Sequence, residues 1–203
     1  MDQRRVLGSG PAPLDTCRPL GDCYPMDARI PTYDEFWTHY LSEHRDPTSR
    51  RLHFVGTTGW MAACAGAAVA APLTFPLAMA AFAGLAAHGT RHGEAERPAL
   101  GHIAGMIALP ALAAPARFLG GVVFAYGCAW AGHFGFEKNK PASFKYPLWS
   151  FVSDLRMWSH MVRGQLWSGD PLEELGLAAP GEAKVTEPVA ADATYTNGAA
   201  VRA

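Results

Sequence analysis

Histidine and carboxylate side chains gather at two places where the chain changes from polar to apolar. The first is the segment Y-L-S-E-H-R-D-P-T-S-R-R-L-H-F-V-G-T, which contains His44 and His53. The second is G-H-F-G-F-E-K-N-K-P, in which His133 and Glu137 are four residues apart. Neutral imidazole with carboxylate suits iron, zinc or manganese, and open positions on iron suit oxygen chemistry. These four residues form the candidate catalytic and metal-binding site.

The spacing alone leaves several interpretations open. On one helix face, His133 and Glu137 could supply two ligands of one ion, or an imidazole and the carboxylate that orients it. A hydrogen-bonded pair that only caps the helix is the simpler interpretation of that spacing. His44 and His53 are separated by a proline turn that could fold them towards one point, but each could also be an interfacial side chain satisfied by water. We interpret His88 and His92 as loop residues, because glycine follows each of them.

Long apolar runs must position these residues. From Phe54 to Ala87 there is no charged side chain, a stretch about twice as long as one bilayer crossing needs. Pro72 and Pro76 break this run, and a second apolar pair turns at A-P-A-R. The predicted helices are residues 52–71, 76–88, 99–114 and 118–134. The fold class predicted is therefore all-α, with four helices in two hairpins.

Amphipathic segments flank the four helices. Aromatic and leucine residues between 33 and 41 fall on one face of a short helix, and the aromatic stretch after Pro141 is typical of an interfacial segment. The chain beyond about 170 has no apolar period, which is typical of disorder. We therefore expect an unstructured tail over 1–30, one helical domain over 31–168 and a disordered tail over 169–203.

Basic residues predict a membrane topology. Ten Lys and Arg residues precede the first helix, lie between the hairpins or follow the fourth helix, whereas the hairpin turns contain only Arg117. The basic residues on the shared side are Arg45, Arg50, Arg51, Arg91, Arg97, Lys138, Lys140, Lys145, Arg156 and Arg163. Because cytoplasmic loops are rich in Lys and Arg, we predict a multi-pass protein with four transmembrane helices and both termini in the cytoplasm. A soluble four-helix bundle is the alternative.

Composition excludes one class of partner. With 17 basic and 18 acidic residues the net charge is −1, so no nucleic-acid partner is expected. The chain has no G-x-S-x-G, no phosphate-binding glycine loop and no H-E-x-x-H. Nothing in the sequence sets an oligomeric state.

The two polar motifs resemble those of a small membrane-protein family. The first motif, the apolar hairpins and then A-W-A-G-H-F-G-F-E-K-N-K-P-A-S-F-K-Y-P-L-W-S-F-V-S-D resemble the iron-dependent 2-hydroxy fatty acid dioxygenases of phytosphingosine breakdown. The resemblance covers roughly residues 33–165 and is closest to the bacterial branch, with E-H-x-x-P-x-x-R-R-L-H. It implies four membrane helices, a bacterial inner-membrane location and an Fe(II) centre.

Carried over residue by residue, the resemblance places His44, His53, His133 and Glu137 at the iron. It gives Asp154 a supporting role, and Asn139 is a further candidate near the ligands. The implied substrates are a 2-hydroxy fatty acid and O2, with cleavage between C1 and C2 and a product one carbon shorter. A 2-hydroxy acid can chelate iron through its carboxylate and hydroxyl.

Four basic residues near the motifs could neutralise the substrate carboxylate: Arg45, Arg50, Arg51 and Lys140. Contact with anionic membrane lipid is the alternative for most of them.

Two other functions stay open. One is a different histidine-metal membrane lipid hydroxylase or oxidase, although the H-x-x-H-H cluster of such enzymes is absent. The other is a non-enzymatic membrane protein whose histidines hold helices together.

Overall fold

The structure, a computed structural model, describes residues 29–92, 94 and 98–178 and is all-helical. Its helices are α1 (Tyr33–Ser42), α2 (Pro47–Ala70), α3 (Thr74–His92), α4 (Leu100–Ala113), α5 (Pro115–Gly132), α6 (Pro147–Val162) and α7 (Pro171–Glu174). A π-helical turn, His133–Glu137, continues α5, and a 3-10 turn, Ala142–Phe144, precedes α6. No strand occurs in the described ranges, so the predicted all-α class is confirmed.

The four long helices lie close to their predicted positions, with two corrections. Helix α2 begins at Pro47, five residues before the predicted start, because Asp46 accepts a hydrogen bond from the backbone N–H of Thr48 at 2.6 Å and proline fits the first turn. Helix α3 continues to His92, so His88 lies in its last turns and not in a loop.

The tightest packing does not follow the predicted hairpins. Helix α2 runs along α5, and α3 along α4, whereas the sequence neighbours α2 and α3 barely touch. Glycines make the close contact between α2 and α5 possible. A Cβ at Gly56 would lie 3.0 Å from the carbonyl oxygen of Ala125, and a Cβ at Gly121 would lie 2.8 Å from the Cβ of Ala63. Small residues let helix backbones approach closely, so the bundle consists of two tight pairs with space between them.

Helices α1 and α6 close one end of the bundle. The amphipathic faces predicted for both segments are confirmed. Helix α1 buries Phe36, Trp37, Tyr40 and Leu41, and α6 buries Leu148, Met157 and Met161 among others. Tyr146 and Trp149 of this aromatic core stack with ring centroids 5.7 Å apart. The carboxylate of the fully buried Glu94 accepts hydrogen bonds from the backbone N–H groups of Leu148 and Trp149. The carboxylate stabilises the N-terminus of α6 and holds this helix in place against the rest of the bundle.

Both predicted domain boundaries need correction. Ile30 is buried and its backbone N–H donates to the Tyr146 hydroxyl. Asp170 caps α7, whose Leu172 is also buried. Residues 29–30 and 169–178 therefore belong to the folded domain, because they pack on its core. The remaining parts of the two predicted tails lie outside the described residues.

Large apolar side chains cover the outside of the bundle. Val69, Leu73 and Leu112 are each more than 80% exposed. Within the described chain, α2 alone is long and apolar enough to cross a membrane, and α4 is apolar but shorter. Exposed apolar surface of this kind marks a contact with lipid or protein.

Candidate metal centre

Three histidines from three separate elements meet at the end of the bundle that α1 and α6 cover. The ring centroids of His44 and His53, and of His44 and His133, lie 4.7 Å apart. Those of His53 and His133 are separated by 5.2 Å. One nitrogen from each ring lies within 4.8 Å of the other two. All three residues are buried, so these three predicted ligands form one enclosed cluster.

The His44 ring is oriented by the end of α1. Its Nδ1 lies 2.5 Å from the carbonyl oxygen of Tyr40, one helical turn earlier, and the two rings stack at 4.1 Å. Because a carbonyl only accepts, Nδ1 must carry the proton, which leaves the lone pair on Nε2. Arg50, which is fully buried, donates to the carbonyls of His44 and Arg45 at 2.9 and 2.7 Å and so fixes this loop.

Asp154 orients the second imidazole. Its carboxylate accepts a hydrogen bond from Nδ1 of His53 at 2.7 Å and from the Tyr40 hydroxyl at 3.1 Å. The Thr57 hydroxyl donates to the other carboxylate oxygen. The carboxylate therefore holds His53 with its proton on Nδ1 and its lone pair on Nε2, as acids beside metal-binding histidines do.

Asn139 does the same for His133. Its side-chain oxygen accepts from Nδ1 of His133 at 2.8 Å, and its amide nitrogen donates to the backbone carbonyl and the carboxylate of Glu43 at 2.9 and 2.8 Å. These two acceptors settle which end of the amide faces the imidazole. Lys138, with φ of 56°, turns the chain after the π-helical turn and returns Asn139 to this position.

The free lone pairs indicate what the cluster binds. The Nε2 atoms of His44 and His53 are buried and have no hydrogen-bond partner, a costly state for a polar group. Burial, followed by the proximity of His53 and His133, lowers the pKa of His44 well below its usual value. Burial also lowers the pKa of His133. Neutral imidazoles with oriented N–H groups and converging lone pairs fit a transition-metal ion.

Glu137 is placed differently from the three histidines. Its carboxylate accepts a hydrogen bond from the backbone N–H of Asp46 at 2.9 Å, and the three-residue cluster does not include it. The α-helical spacing predicted for His133 and Glu137 does not hold, because a π-helical turn ends the helix there. Burial raises the pKa of the Glu137 carboxyl.

The predicted carboxylate-binding residues separate into two groups. Arg50 is internal and bonds only to backbone carbonyls, with Leu166 and Gly169 also among its acceptors. Arg45 pairs with Asp170 at 3.4 Å, and Arg51 donates to the carbonyl of Trp167 at 2.9 Å. Lys140 is exposed and lines a surface groove together with Glu43 and Pro141, and Pro141 also lines the cavity below the histidines.

An apolar cavity of about 140 Å³ leads away from the three histidines between the helix pairs. His44, His53 and His133 form its polar end together with Asp154. Its remaining walls are mostly aromatic and aliphatic: among them are Trp60, Phe82, Ile103, Met106, Phe118, Val122 and Phe151. A ligand that fits both parts has a metal-binding head and an apolar body.

Two residues at the site were not predicted from the sequence. Tyr40 bonds to both His44 and Asp154, and Thr57 completes the carboxylate's partners. The spacing of four residues between Tyr40 and His44, and between His53 and Thr57, was a usable signal. Tyr40 belongs to the predicted apolar face of α1, and a pattern of apolar faces does not indicate hydrogen bonds.

The fold and the site define a helical protein with a buried tri-histidine centre that can hold a metal ion. Residues 30–166 match the family model described as 2-hydroxy-palmitic acid dioxygenase Mpo1-like. The match covers more than half of the chain, so the chain belongs to this family, as the motifs predicted. No curated protein and no solved structure matches the chain.

Proposed function

We propose that the protein is an iron-dependent dioxygenase that shortens 2-hydroxy fatty acids by one carbon. The observation that carries this proposal is the buried tri-histidine cluster at the head of an apolar cavity. An amphiphilic acid needs both features, because the histidine cluster can hold its polar head and the apolar cavity can hold its chain. The family's description, a 2-hydroxy-palmitic acid dioxygenase, supports the same substrate class.

The proposed reaction balances without an external reductant. A 2-hydroxy acid R–CH(OH)–COOH and one O2 give R–COOH, CO2 and water, with cleavage of the C1–C2 bond and four-electron reduction of O2. Iron, held by His44, His53 and His133, would supply the redox chemistry. Asp154 and Asn139 keep the imidazole protons on Nδ1.

Lys140 is assigned to neutralise the substrate carboxylate as it approaches the cavity, before that carboxylate is held at the histidines. It is exposed in a groove that shares Pro141 with the cavity, whereas Arg50 is occupied inside the protein. An ammonium group there can neutralise a carboxylate that approaches from the surface. We leave Glu137 outside the ligand set because its carboxylate binds the backbone of Asp46.

A purely structural role for the histidines is less consistent with their geometry. Histidines that only join helices would hydrogen-bond through both nitrogens, but two of the three Nε2 atoms have no partner. A structural role also predicts no bound metal in the purified protein. Metal content therefore separates the two functions.

We further propose that α2 to α5 cross a membrane with both chain termini on the cytoplasmic side. The exposed apolar side chains on these helices support this arrangement. At 1.5 Å per residue, the 24 residues of α2 extend about 36 Å and the 14 residues of α4 about 21 Å. A bilayer core of about 30 Å must therefore thin at α4, which costs only fractions of a kcal/mol per Å.

Cysteine labelling tests this topology. In a variant with all four cysteines, Cys17, Cys23, Cys64 and Cys128, replaced by serine, a single cysteine is introduced at one of two positions. Leu73→Cys lies at the turn after α2, and Lys140→Cys lies at the opposite end. An impermeant maleimide should label only Leu73→Cys from outside right-side-out vesicles and only Lys140→Cys in inside-out vesicles. Labelling of both positions from one side, or release of the protein by carbonate, would refute the membrane-spanning arrangement.

The reaction is tested with the detergent-solubilised protein, Fe(II) and 2-hydroxypalmitate under ¹⁸O2. We expect pentadecanoic acid that contains ¹⁸O, and no product under nitrogen or with a chelator. His133→Ala should abolish turnover, whereas the matched variant His92→Ala, on the exposed end of α3, should retain it. Product that forms equally in the His133 variant would contradict the assigned site.

A further inference from the structure

The cavity follows one face of α5 from the metal centre to the far end of the bundle. Phe118, Val122, Ala125, Ala129 and His133 all line it, and they recur every three or four residues. The 15 residue steps from Phe118 to His133 correspond to about 22 Å along the helix. The cavity is therefore long in relation to its volume of about 140 Å³.

Phe118 closes the far end. Its side chain is 1% exposed, and its ring packs against that of Phe75 with centroids 6.2 Å apart. Phe75 itself does not line the cavity, so it backs the floor that Phe118 forms. Both rings belong to a buried cluster with Met106, which limits their movement.

The side walls are apolar and come from the other helices. Trp60 of α2, Phe82 of α3 and Met106 of α4 face the same space. Such a wall stabilises each additional methylene of a straight chain through burial, and the side chains of Phe82 and Met106 carry no hydrogen-bonding group that would fix one position. For a chain that lies along α5, the two ends of the cavity, the histidines and the Phe118 floor, then determine how many carbons fit.

We propose that this cavity measures the length of the acyl chain, with Phe118 as the residue that sets the upper limit. The inference rests on the proposed function, because the carboxylate and hydroxyl must be held at the histidines. An extended chain advances about 1.3 Å per carbon when C–C bonds of about 1.5 Å alternate in direction. About 22 Å therefore admits at most about 17 carbons.

The first arm of the test measures binding without turnover. The iron-loaded protein is titrated under nitrogen with saturated 2-hydroxy acids of increasing length, and quenching of tryptophan fluorescence reports occupancy, since Trp60 and Trp130 line the cavity. Affinity should rise about fourfold per added carbon until the chain reaches about 16 or 17 carbons, and then stop rising. Affinity that continues to rise well beyond this length would overturn the proposed limit.

The second arm moves the limit in both directions. Val122 lies one helical turn closer to the histidines than Phe118, so Val122→Phe should shorten the longest well-bound acid by about four or five carbons. Phe118→Ala should lengthen it by two or more carbons, because it removes the ring. The matched control is Val123→Phe: Val123 neighbours Val122 but is 71% exposed and does not line the cavity, so the limit should not change.

The outcomes separate the proposed chain-length limit from the proposed reaction. If the longest well-bound acid changes in the two variants but the protein never turns over a 2-hydroxy acid, the chain-length limit is supported and the reaction is refuted. If turnover in air is normal but the longest well-bound acid is the same in the variants, the chain-length limit is refuted and the reaction stands. If Phe118→Ala fails to fold, Val122→Phe alone decides, since an unchanged limit in that variant refutes the assignment.

Discussion

Asp154 is the acid on which the order of the metal centre depends. Its carboxylate accepts hydrogen bonds from His53, Tyr40 and Thr57. Asp154→Ala removes all three hydrogen bonds at once, and a buried donor without a partner costs about 1–3 kcal/mol. The Asp154 side chain is 24% exposed, so water can replace part of what is lost. We therefore expect the lower value for each donor, a total loss of about 3 kcal/mol in the free energy of unfolding.

Metal affinity should fall in the same variant for a separate reason. Without the carboxylate, the His53 ring loses the group that fixes its tautomer and orientation, and such losses weaken metal binding about 10- to 100-fold. Asp154→Asn keeps an oxygen for His53 and Tyr40, and its amide can donate to Thr57. It should therefore lose less than tenfold in affinity.

Two assays on the same samples measure these effects. Chemical denaturation of the metal-free protein gives the free energy of unfolding, and competition with a chromophoric chelator gives the Fe(II) affinity under nitrogen. Asp34→Ala, which removes an exposed acid from α1, is the matched control and should change the affinity little. Wild-type affinity and stability in Asp154→Ala would refute the argument that this carboxylate orients the ligand.

Three further predictions concern the ligands, their protonation and the helix contact. His44→Ala should lose the bound metal, while His88→Ala and Glu137→Gln keep it; metal loss on Glu137→Gln would restore the carboxylate to the ligand set. Because the folded state lowers the pKa of His44, the unfolded chain binds more protons below about pH 6.5. The metal-free protein should therefore lose stability as the pH falls through that value. In a series of denaturation curves, a free energy of unfolding that stays constant or increases as the pH falls would contradict the assignment. Gly56→Ala should destabilise the protein by about 1–3 kcal/mol, because α2 would have to move away from α5, whereas Gly127→Ala, with nothing within 4 Å of its added Cβ, should not destabilise it; equal effects would exclude the close contact as the cause.

The convergence of the histidines could be predicted from the sequence. His44, His53 and His133 all lie where a polar motif meets an apolar run, and an even number of antiparallel helices brings such edges to one end of a bundle. The positions of the long helices followed from the apolar runs for the same reason. Apolar periodicity constrains which residues face inward, and in this chain that was sufficient to locate the cluster.

Other features depended on local geometry that no period encodes. The π-helical turn and the left-handed Lys138 direct the Glu137 carboxylate to the backbone N–H of Asp46. Its spacing from His133 had suggested that the two side chains share one helix face. Arg50 was expected near a substrate, but its acceptors include a carbonyl 116 residues away. Only the tertiary structure places that loop against α2.

The continuation of α3 through His88 and Gly89 was missed because glycine normally weakens a helix. The structure gives Gly89 a packing reason: a Cβ there would lie 2.9 Å from the His102 side chain. The absence of a side chain allows α3 and α4 to approach at this position, and the two imidazoles hydrogen-bond across it, with Nδ1 of His88 2.9 Å from Nε2 of His102. A contact between neighbouring helices thus outweighed the local preference.

The most direct test of the central claim is the quantity of pentadecanoic acid formed from 2-hydroxypalmitate by purified protein that has been loaded with Fe(II) and freed of excess metal. One acid should form for each O2 consumed, and none should form in the His44→Ala or His133→Ala protein. A protein that holds one iron at the three histidines but forms no shortened acid would contradict the proposed reaction. A protein that forms the acid without bound iron would contradict the proposed centre.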